Sequence, residues 1–403
     1  MISPSQAFSA MLQQVNPLPP ELRPLGDALG YVLAADVRAD RDLPAADRSA
    51  MDGYAVRAAD MAAAPTTLRL VGEVAAGSPL RPRVRPGTCV RILTGANVPP
   101  GADTVVMVEQ TSEADDLVSF RAAAKKGQNI LRRAEDARKG EVLLPRGSVL
   151  SAPSVGVCAA VGCASIKVHR KPRITVLCTG AELREVGAKV AASDERNSNG
   201  PALCAALAAW GYPGCRYATL PDNLAVQTRR IKQAAERHDV VVAVGGVSVG
   251  RYDFVPRAVE AAGGNIIFHG VAMKPGKPIM MARFPGGAAM FGLPGNPLSA
   301  MVGFYEFVLP ALARLAGVGV QVCLPEIYLP LADDLKHKGG TLRHVLASIL
   351  WLSRGPIIVP IKSKSSADLV AGGRADGTIV LHPQPTTLPA GTLVEFRPWR
   401  PLP

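Results

Sequence analysis

Two uninterrupted apolar segments, each closed by glycine, limit the fold more than any other feature. RITVLCTG (173–180) and DVVVAVGG (239–246) carry almost no polar side chain between their ends. A strand apolar at every position has both faces covered, which is the pattern of a parallel sheet between helices. Helical segments alternate with them. NSNGPALCAALAAWG carries Leu203, Leu207 and Trp210 at helical spacing, with Asn199 as its expected N-cap and Gly211 as its stop. AVQTRRIKQAAERH is a charged amphipathic helix. In such sheets ligands bind beyond the carboxyl ends of the strands, where Thr179-Gly180 and Gly245-Gly246 are expected.

The remainder of the chain reads differently. Residues 5–15 suggest a short helix, followed by the proline-rich break NPLPPELRPLG. Between 46 and 139, short apolar runs separated by Gly and Pro predict a small β-rich module. KGEVLLPRGSVL resembles two strands joined by a Pro-Arg-Gly turn. Near 292–312, GLPGNPLSAMVGFYEFVLPAL predicts a turn feeding a helix, with Asn296 capping and Pro297 first. After about 318, short strands and turns return. A chain of 403 residues suggests roughly two to four domains.

Composition narrows the partners. Lys plus Arg number 45 against 33 Asp plus Glu, a net charge of +12 that favours anionic ligands. The basic residues are scattered pairs such as Lys125–Lys126 and Arg229–Arg230, with no aromatic interleaving, so a small anion is expected rather than nucleic acid. Seven cysteines without a CxxC pair predict free thiols, not a disulfide framework or a thiolate zinc site. The N-terminus lacks a basic and apolar leader pattern, and the uncharged stretch Gly147–Ile166 contains Pro153 and several Ser and Gly. A cytoplasmic protein that does not span a membrane is expected.

Three places concentrate chemistry. In VVVAVGGVSVGRYDF a strand opens into a glycine-rich bend whose free backbone N–H groups can cradle an anion, with Gly245, Gly246, Ser248 and Gly250 at the bend. The pentapeptide Gly246-Val247-Ser248-Val249-Gly250 also fits the GxSxG nucleophile elbow, with His269, His337, His344 and His382 downstream, so a serine hydrolase is an alternative. In SAMDGYA, Asp52 stands in an Asp-Gly bend. In MKPGKP, two prolines and a glycine hold Lys274 and Lys277, an arrangement suited to an oxyanion or phosphate.

Eight segments then occur in one order: SAMDGYAV, RILTGANVPPGADTVVMVE, NILRRAED, LCTGAEL, NSNGPAL, AVGGVSVGRYDF, MKPGKP and GLPGNPLSA. In that order they resemble the MoeA (molybdopterin molybdenumtransferase) family and the related gephyrin E domain. The resemblance implies an α/β multidomain protein. A three-layer molybdopterin-binding α/β domain would comprise 1–25 and 170–317, a linking domain 26–45 and 140–169, a β-rich lobe 46–139, and a C-terminal β-barrel-like domain 318–403. It implies a homodimer in which the lobe supplies Asp52, Thr94 and Asp136 to the partner's cleft.

The family reaction joins molybdate to adenylylated molybdopterin and releases AMP. By the same resemblance, Glu182, Asp222 and Asp253 are expected to position substrate and Mg²⁺. Thr179, Gly180, Asn199, the glycine loop, Pro294, Pro297 and Ser366 are expected to bind substrate, and Lys274 and Lys277 to contact molybdate or phosphate. A molybdopterin adenylyltransferase and molybdoenzyme maturation factors are implied as partners. A non-catalytic molybdopterin-binding or scaffold paralogue is the second reading. Three positions depart from the family pattern: Arg251 replaces an acidic residue, Ala134 a glycine, and Leu346 stands where relatives often carry arginine.

Overall fold

The computed structural model describes residues 1–248, 250 and 253–402; Arg251 lies outside the described residues. The chain divides into two compact units, one of residues 35–146 and 152–165, the other of 1–34, 147–151 and 166–403.

The smaller unit is built on one six-stranded sheet. Its strands are β1 (Gly53–Val56), β2 (Thr66–Val74), β3 (Thr88–Ile92), β4 (Thr104–Met107), β5 (Thr111–Ala114) and β6 (Leu117–Phe120), in the order β4-β1-β3-β2-β6-β5. Only β2 and β3 run parallel. All four residues of β1 are buried. Tyr54 and Val56 pack with Phe120 and Val118 on one side, and Ala55 packs with Val90 and Val105 on the other. Successive side chains of a strand point to opposite faces, so this central strand is covered twice. The helix Ala152–Ala160 completes the unit.

The larger unit begins with α1 (Pro4–Gln14), started by a capping box: Gln6 N–H donates to Ser3 Oγ, and Ser3 N–H to Gln6 Oε1 at 2.9 Å. Its main sheet contains β7 (Ile174–Thr179), β8 (Arg216–Leu220), β9 (Val240–Val244), β10 (Asn265–His269), β11 (Met280–Arg283) and β12 (Ala289–Leu293), ordered β8-β7-β9-β12-β11-β10. The first four are parallel, and β11 and β10 close one edge through two antiparallel pairings. Separate apolar clusters cover the two faces, one holding Val176, Val242 and Phe291, the other Leu177, Val241 and Met290. The two apolar sequence runs are thus β7 and β9, adjacent at the centre.

The helices α2 (Asn199–Ala209), α3 (Leu224–Arg237), α4 (Val255–Ala261), α5 (Pro297–Gly303) and α6 (Leu309–Leu315) follow the strands, with a single π turn, Phe304–Val308, between α5 and α6. Asn223 Oδ1 caps α3 by accepting from Val226 N–H at 3.0 Å. Asn199 does not cap α2: the helix begins on it, Ser198 is the N-cap, and the Asn199 amide is used elsewhere. Asn296 is the N-cap of α5 with Pro297 inside the first turn, but its side chain makes no capping bond. Among the described residues, only the helical run Pro297–Leu315 is long and apolar enough to cross a membrane, and it is 78% buried within the protein.

The chain ends in a second sheet. It contains β13 (Ile327–Pro330), β14 (Leu342–Leu352), β15 (Gly355–Pro360), β16 (Gly377–Leu381) and β17 (Leu393–Pro398) around Ile358, Ile379 and Phe396. The short strand Met273–Lys274 joins its edge in parallel register with β14, Met273 opposite Leu342 and Lys274 opposite Arg343. The expected pair within KGEVLLPRGSVL does not form. Val142–Leu144 pairs with Val37–Arg38, while Val149 bridges only Val32, because each segment finds a partner from earlier in the chain. All seven cysteines are free.

Candidate active site

Beyond the carboxyl ends of β7 and β9 lies a cleft of about 980 Å³. Thr179, Gly180, Glu182, Asn199, Asp222, Gly245, Gly246, Ser248, Gly250, Asp253, Pro294 and Pro297 all line it. The glycines are required by geometry. Gly245 and Gly246 have φ of +90° and +63°, and a Cβ on Gly245 would lie 2.5 Å from the Thr179 carbonyl oxygen. Two carboxylates brace the loops: Asp222 accepts from Ala181 N–H at 3.0 Å, and Asp253 from Gly250 N–H at 2.7 Å. The Asn199 amide donates to the Gly295 carbonyl at 2.7 Å, joining the head of α2 to the turn before α5.

A second cavity of about 600 Å³ shares Pro278, Pro294 and Asn296 with this cleft. Lys274, Lys277, Arg343 and Lys364 line it together with Ser366, and no acidic side chain does. Among the described residues none of these four cations is ion-paired. Asn296 donates to Ser366 Oγ at 2.8 Å and Leu298 N–H to the Ser366 carbonyl at 3.1 Å, so the 363–366 loop is tied to the start of α5. Sequence reasoning missed Arg343 and Lys364. Leu346, where an arginine was looked for, is buried on the wall of this cavity. Arg343 supplies a cation there because its strand is registered against Lys274. That pairing across about 70 residues leaves no local signal.

The three predicted metal-binding carboxylates line one cleft but form no preassembled cage; among the described residues no cluster of three His, Cys, Asp or Glu could hold an ion. Asp222 and Asp253 each commit one oxygen to a backbone N–H. This all-oxygen set fits a hard cation that takes one or two carboxylates and completes its shell with substrate phosphate and water, as Mg²⁺ does.

Asp52, Thr94 and Asp136 belong to the smaller unit. Asp52 Oδ1 accepts from both Thr94 N–H and Thr94 Oγ1, at 2.6 and 2.7 Å, and these bonds hold its carboxyl below the usual range. Asp136 is exposed on a separate loop, where its N–H donates to the Leu43 carbonyl. Ala134, two residues earlier, has φ of +60°, a left-handed conformation that explains why a glycine is expected there.

The nucleophile-elbow alternative lacks a base. His269 Nε2 is 2.7 Å from the Val247 carbonyl, His337 and His344 are buried, and His382 faces Glu395. Among the described residues no histidine bonds Ser248. The helix after the loop starts only at Val255, whereas an elbow turns directly from strand into helix.

Comparison with known proteins places the chain in a family. Residues 2–162 match the MoeA N-terminal region (domain I and II), and residues 175–314 match a probable molybdopterin binding domain. The molybdopterin molybdenumtransferase of Staphylococcus aureus (strain Mu50) is 33% identical over 395 residues, covering 97% of this chain and 94% of the relative. That of Staphylococcus epidermidis (strain ATCC 12228) is 33% identical over 376 residues, covering 92% and 89%. A crystal structure of the molybdopterin biosynthesis MoeA protein from Pyrococcus horikoshii superposes with a TM-score of 0.85 at 27% identity, covering 99% of this chain and 100% of that one. Fold and site together define a transferase of molybdenum cofactor biosynthesis. The chain belongs to the MoeA family, the molybdopterin molybdenumtransferases.

Proposed function

We propose that the chain joins molybdate to the dithiolene of adenylylated molybdopterin and releases AMP. The observation that carries this reading is the division of charge between the two adjoining cavities. The glycine-loop cleft is lined by Glu182, Asp222 and Asp253, and the second cavity by four cations that are unpaired among the described residues and by no acid. An anionic pterin phosphate needs backbone N–H donors and a neutralised pyrophosphate; a tetrahedral dianion needs fixed cations.

In this reading Gly245, Gly246 and Gly250 let the nucleotide portion approach the backbone, with Thr179, Asn199 and Ser248 supplying polar contacts. Mg²⁺ held by Glu182, Asp222 and Asp253 would neutralise phosphate charge as AMP leaves. Lys274, Lys277 and Arg343 would orient molybdate toward the dithiolene, with Ser366 as a hydroxyl contact. Pro294 stiffens the shared wall and Pro297 the wall of the cleft. Holding two anions in contact is the main barrier, and fixed cations lower it by countering their repulsion.

A homodimer belongs to the same proposal, with Asp52, Thr94 and Asp136 delivered to the partner's cleft. Exposed Met51, Leu93 and Val108 beside Asp52 and Thr94 support it, since such apolar side chains suit an interface. The four-domain division, a cytoplasmic location, and docking of an adenylyltransferase and maturation partners belong to the same proposal. The test is AMP release from adenylylated molybdopterin with purified protein and Mg²⁺. Molybdate-dependent release, lost in Asp52→Ala, is expected. Tight pterin binding without AMP release under any condition would point to the scaffold reading instead.

A further inference from the structure

Beneath the cationic cavity lies a buried charge cluster that the reaction above does not use. Glu306 sits in the π turn Phe304–Val308, an insertion that alters which side chains face inward. Its Oε1 is closed off from solvent, 3.1 Å from Arg397 Nε and 3.9 Å from His344 Nδ1. The approach to Arg397 is an ion pair without hydrogen-bond alignment. Arg397 also holds Glu326 at 3.1 Å and makes a close pair with Glu395, so three carboxylates share one guanidinium. The His344 side chain is fully buried, with Nδ1 3.3 Å from Thr378 Oγ1 and Nε2 without a partner among the described residues.

His344 and Thr378 are also part of the cavity wall, and His344 directly follows Arg343. The other charges around the cluster are His382, 3.3 Å from Glu395, and Arg343 with its cross-strand neighbour Lys274.

We propose that Glu306 is a positioning residue of the oxyanion pocket, acting through His344, and that it takes up a proton when a dianion occupies that pocket. The proposal rests on the oxyanion reading given above. One guanidinium cannot neutralise three carboxylates, and burial pushes the Glu306 carboxyl up to about 7. His344 is pushed down to about 3 and is neutral at that pH, so it transmits negative potential instead of cancelling it. A dianion in the cavity that His344 lines adds to the negative field in a poorly screened interior. That field favours protonated Glu306, and by linkage a lower pH favours the bound anion.

Calorimetric titration of the intact protein with sodium molybdate, in buffers of different ionisation enthalpy, reads the proton directly. Wild type is expected to take up a fraction of a proton per molybdate at pH 7. Its affinity should fall about threefold or more between pH 6 and 8. Glu306→Gln should bind within about threefold of wild type at pH 6, show no uptake, and lose the pH dependence. Glu306→Asp should recover part of both. Buffer-independent heats in wild type, or equal uptake in Glu306→Gln, would overturn the linkage while leaving the oxyanion reading intact. Absence of any molybdate binding would overturn both. If Glu306→Gln does not fold, Glu306→Asp carries the same test: uptake and pH dependence identical to wild type would overturn the proposal.

Discussion

Asp52 takes two hydrogen bonds through one oxygen from a single residue: Thr94 gives its N–H and its hydroxyl to Oδ1, at 2.6 and 2.7 Å. Among the described residues the second carboxylate oxygen has no such bond. Both residues sit on loops at the edge of β1 and β3, so the pair fixes an exposed acid without burying it. Thr94→Val keeps the shape and the backbone bond but removes the hydroxyl. We expect AMP release to fall about tenfold while the melting temperature stays within about 2 °C. An unchanged rate would mean that the orientation of Asp52 is irrelevant to turnover.

The left-handed Ala134 predicts a gain. A Cβ in that conformation costs roughly 1 kcal/mol, which glycine avoids. Ala134→Gly should therefore raise the unfolding free energy by about 0.5 kcal/mol in urea titrations, with activity unaltered. The gain should be smaller than the backbone strain alone, because glycine also frees the unfolded chain.

Gly245→Ala predicts the opposite. At φ +90° the added methyl would meet the Thr179 carbonyl oxygen at 2.5 Å, and neither β7 nor β9 can shift within the sheet. Destabilisation of about 2 kcal/mol or more and loss of pterin binding are expected, readable by denaturation and by fluorescence titration.

For the oxyanion pocket, Arg343→Leu removes one of four cations without disturbing the buried wall. The KM for molybdate should rise about tenfold, with a far smaller change in that for adenylylated molybdopterin. Equal effects on both would place Arg343 outside the molybdate site.

Stability should also carry the signature of the buried cluster. Because the folded state raises the Glu306 carboxyl from 4.5 to about 7, it binds this proton more tightly than the unfolded state. Its contribution is therefore fully present below pH 4.5 and is lost as pH rises toward 7. The opposite holds for His344, lowered from 6.5 to about 3, whose neutral form stabilises above pH 6.5 and is lost on acidification. Over pH 5–7.5 the two contributions oppose each other, so in chemical denaturation the stability of wild type should fall relative to that of Glu306→Gln as pH rises, by on the order of 1–3 kcal/mol. A wild-type curve parallel to that of the variant would rule out Glu306 as its source.

Much of this protein is written locally. The continuous apolar runs of β7 and β9 require two covered faces, and their terminal glycines mark the loops that form the cleft. Pro297 and the Gly-rich bends are likewise legible, because a fixed φ or a missing Cβ has few uses. Asn199 misled for a physical reason: a capping residue type also suits a tertiary bond, and here its amide reaches Gly295. The strand expected after Pro145 was misread because pairing partners lie far away in sequence.

By itself the sequence determined the parallel α/β core, the glycine loops and the order of motifs that places the chain in its family, since these depend on side-chain periodicity and backbone permission. Only the tertiary structure decided that Arg343 and Lys364 join Lys274 and Lys277 in one cavity, and that Glu306 and His344 share a buried cluster behind it. Those juxtapositions come from strand register and a π turn, and charge has no periodicity that would announce them.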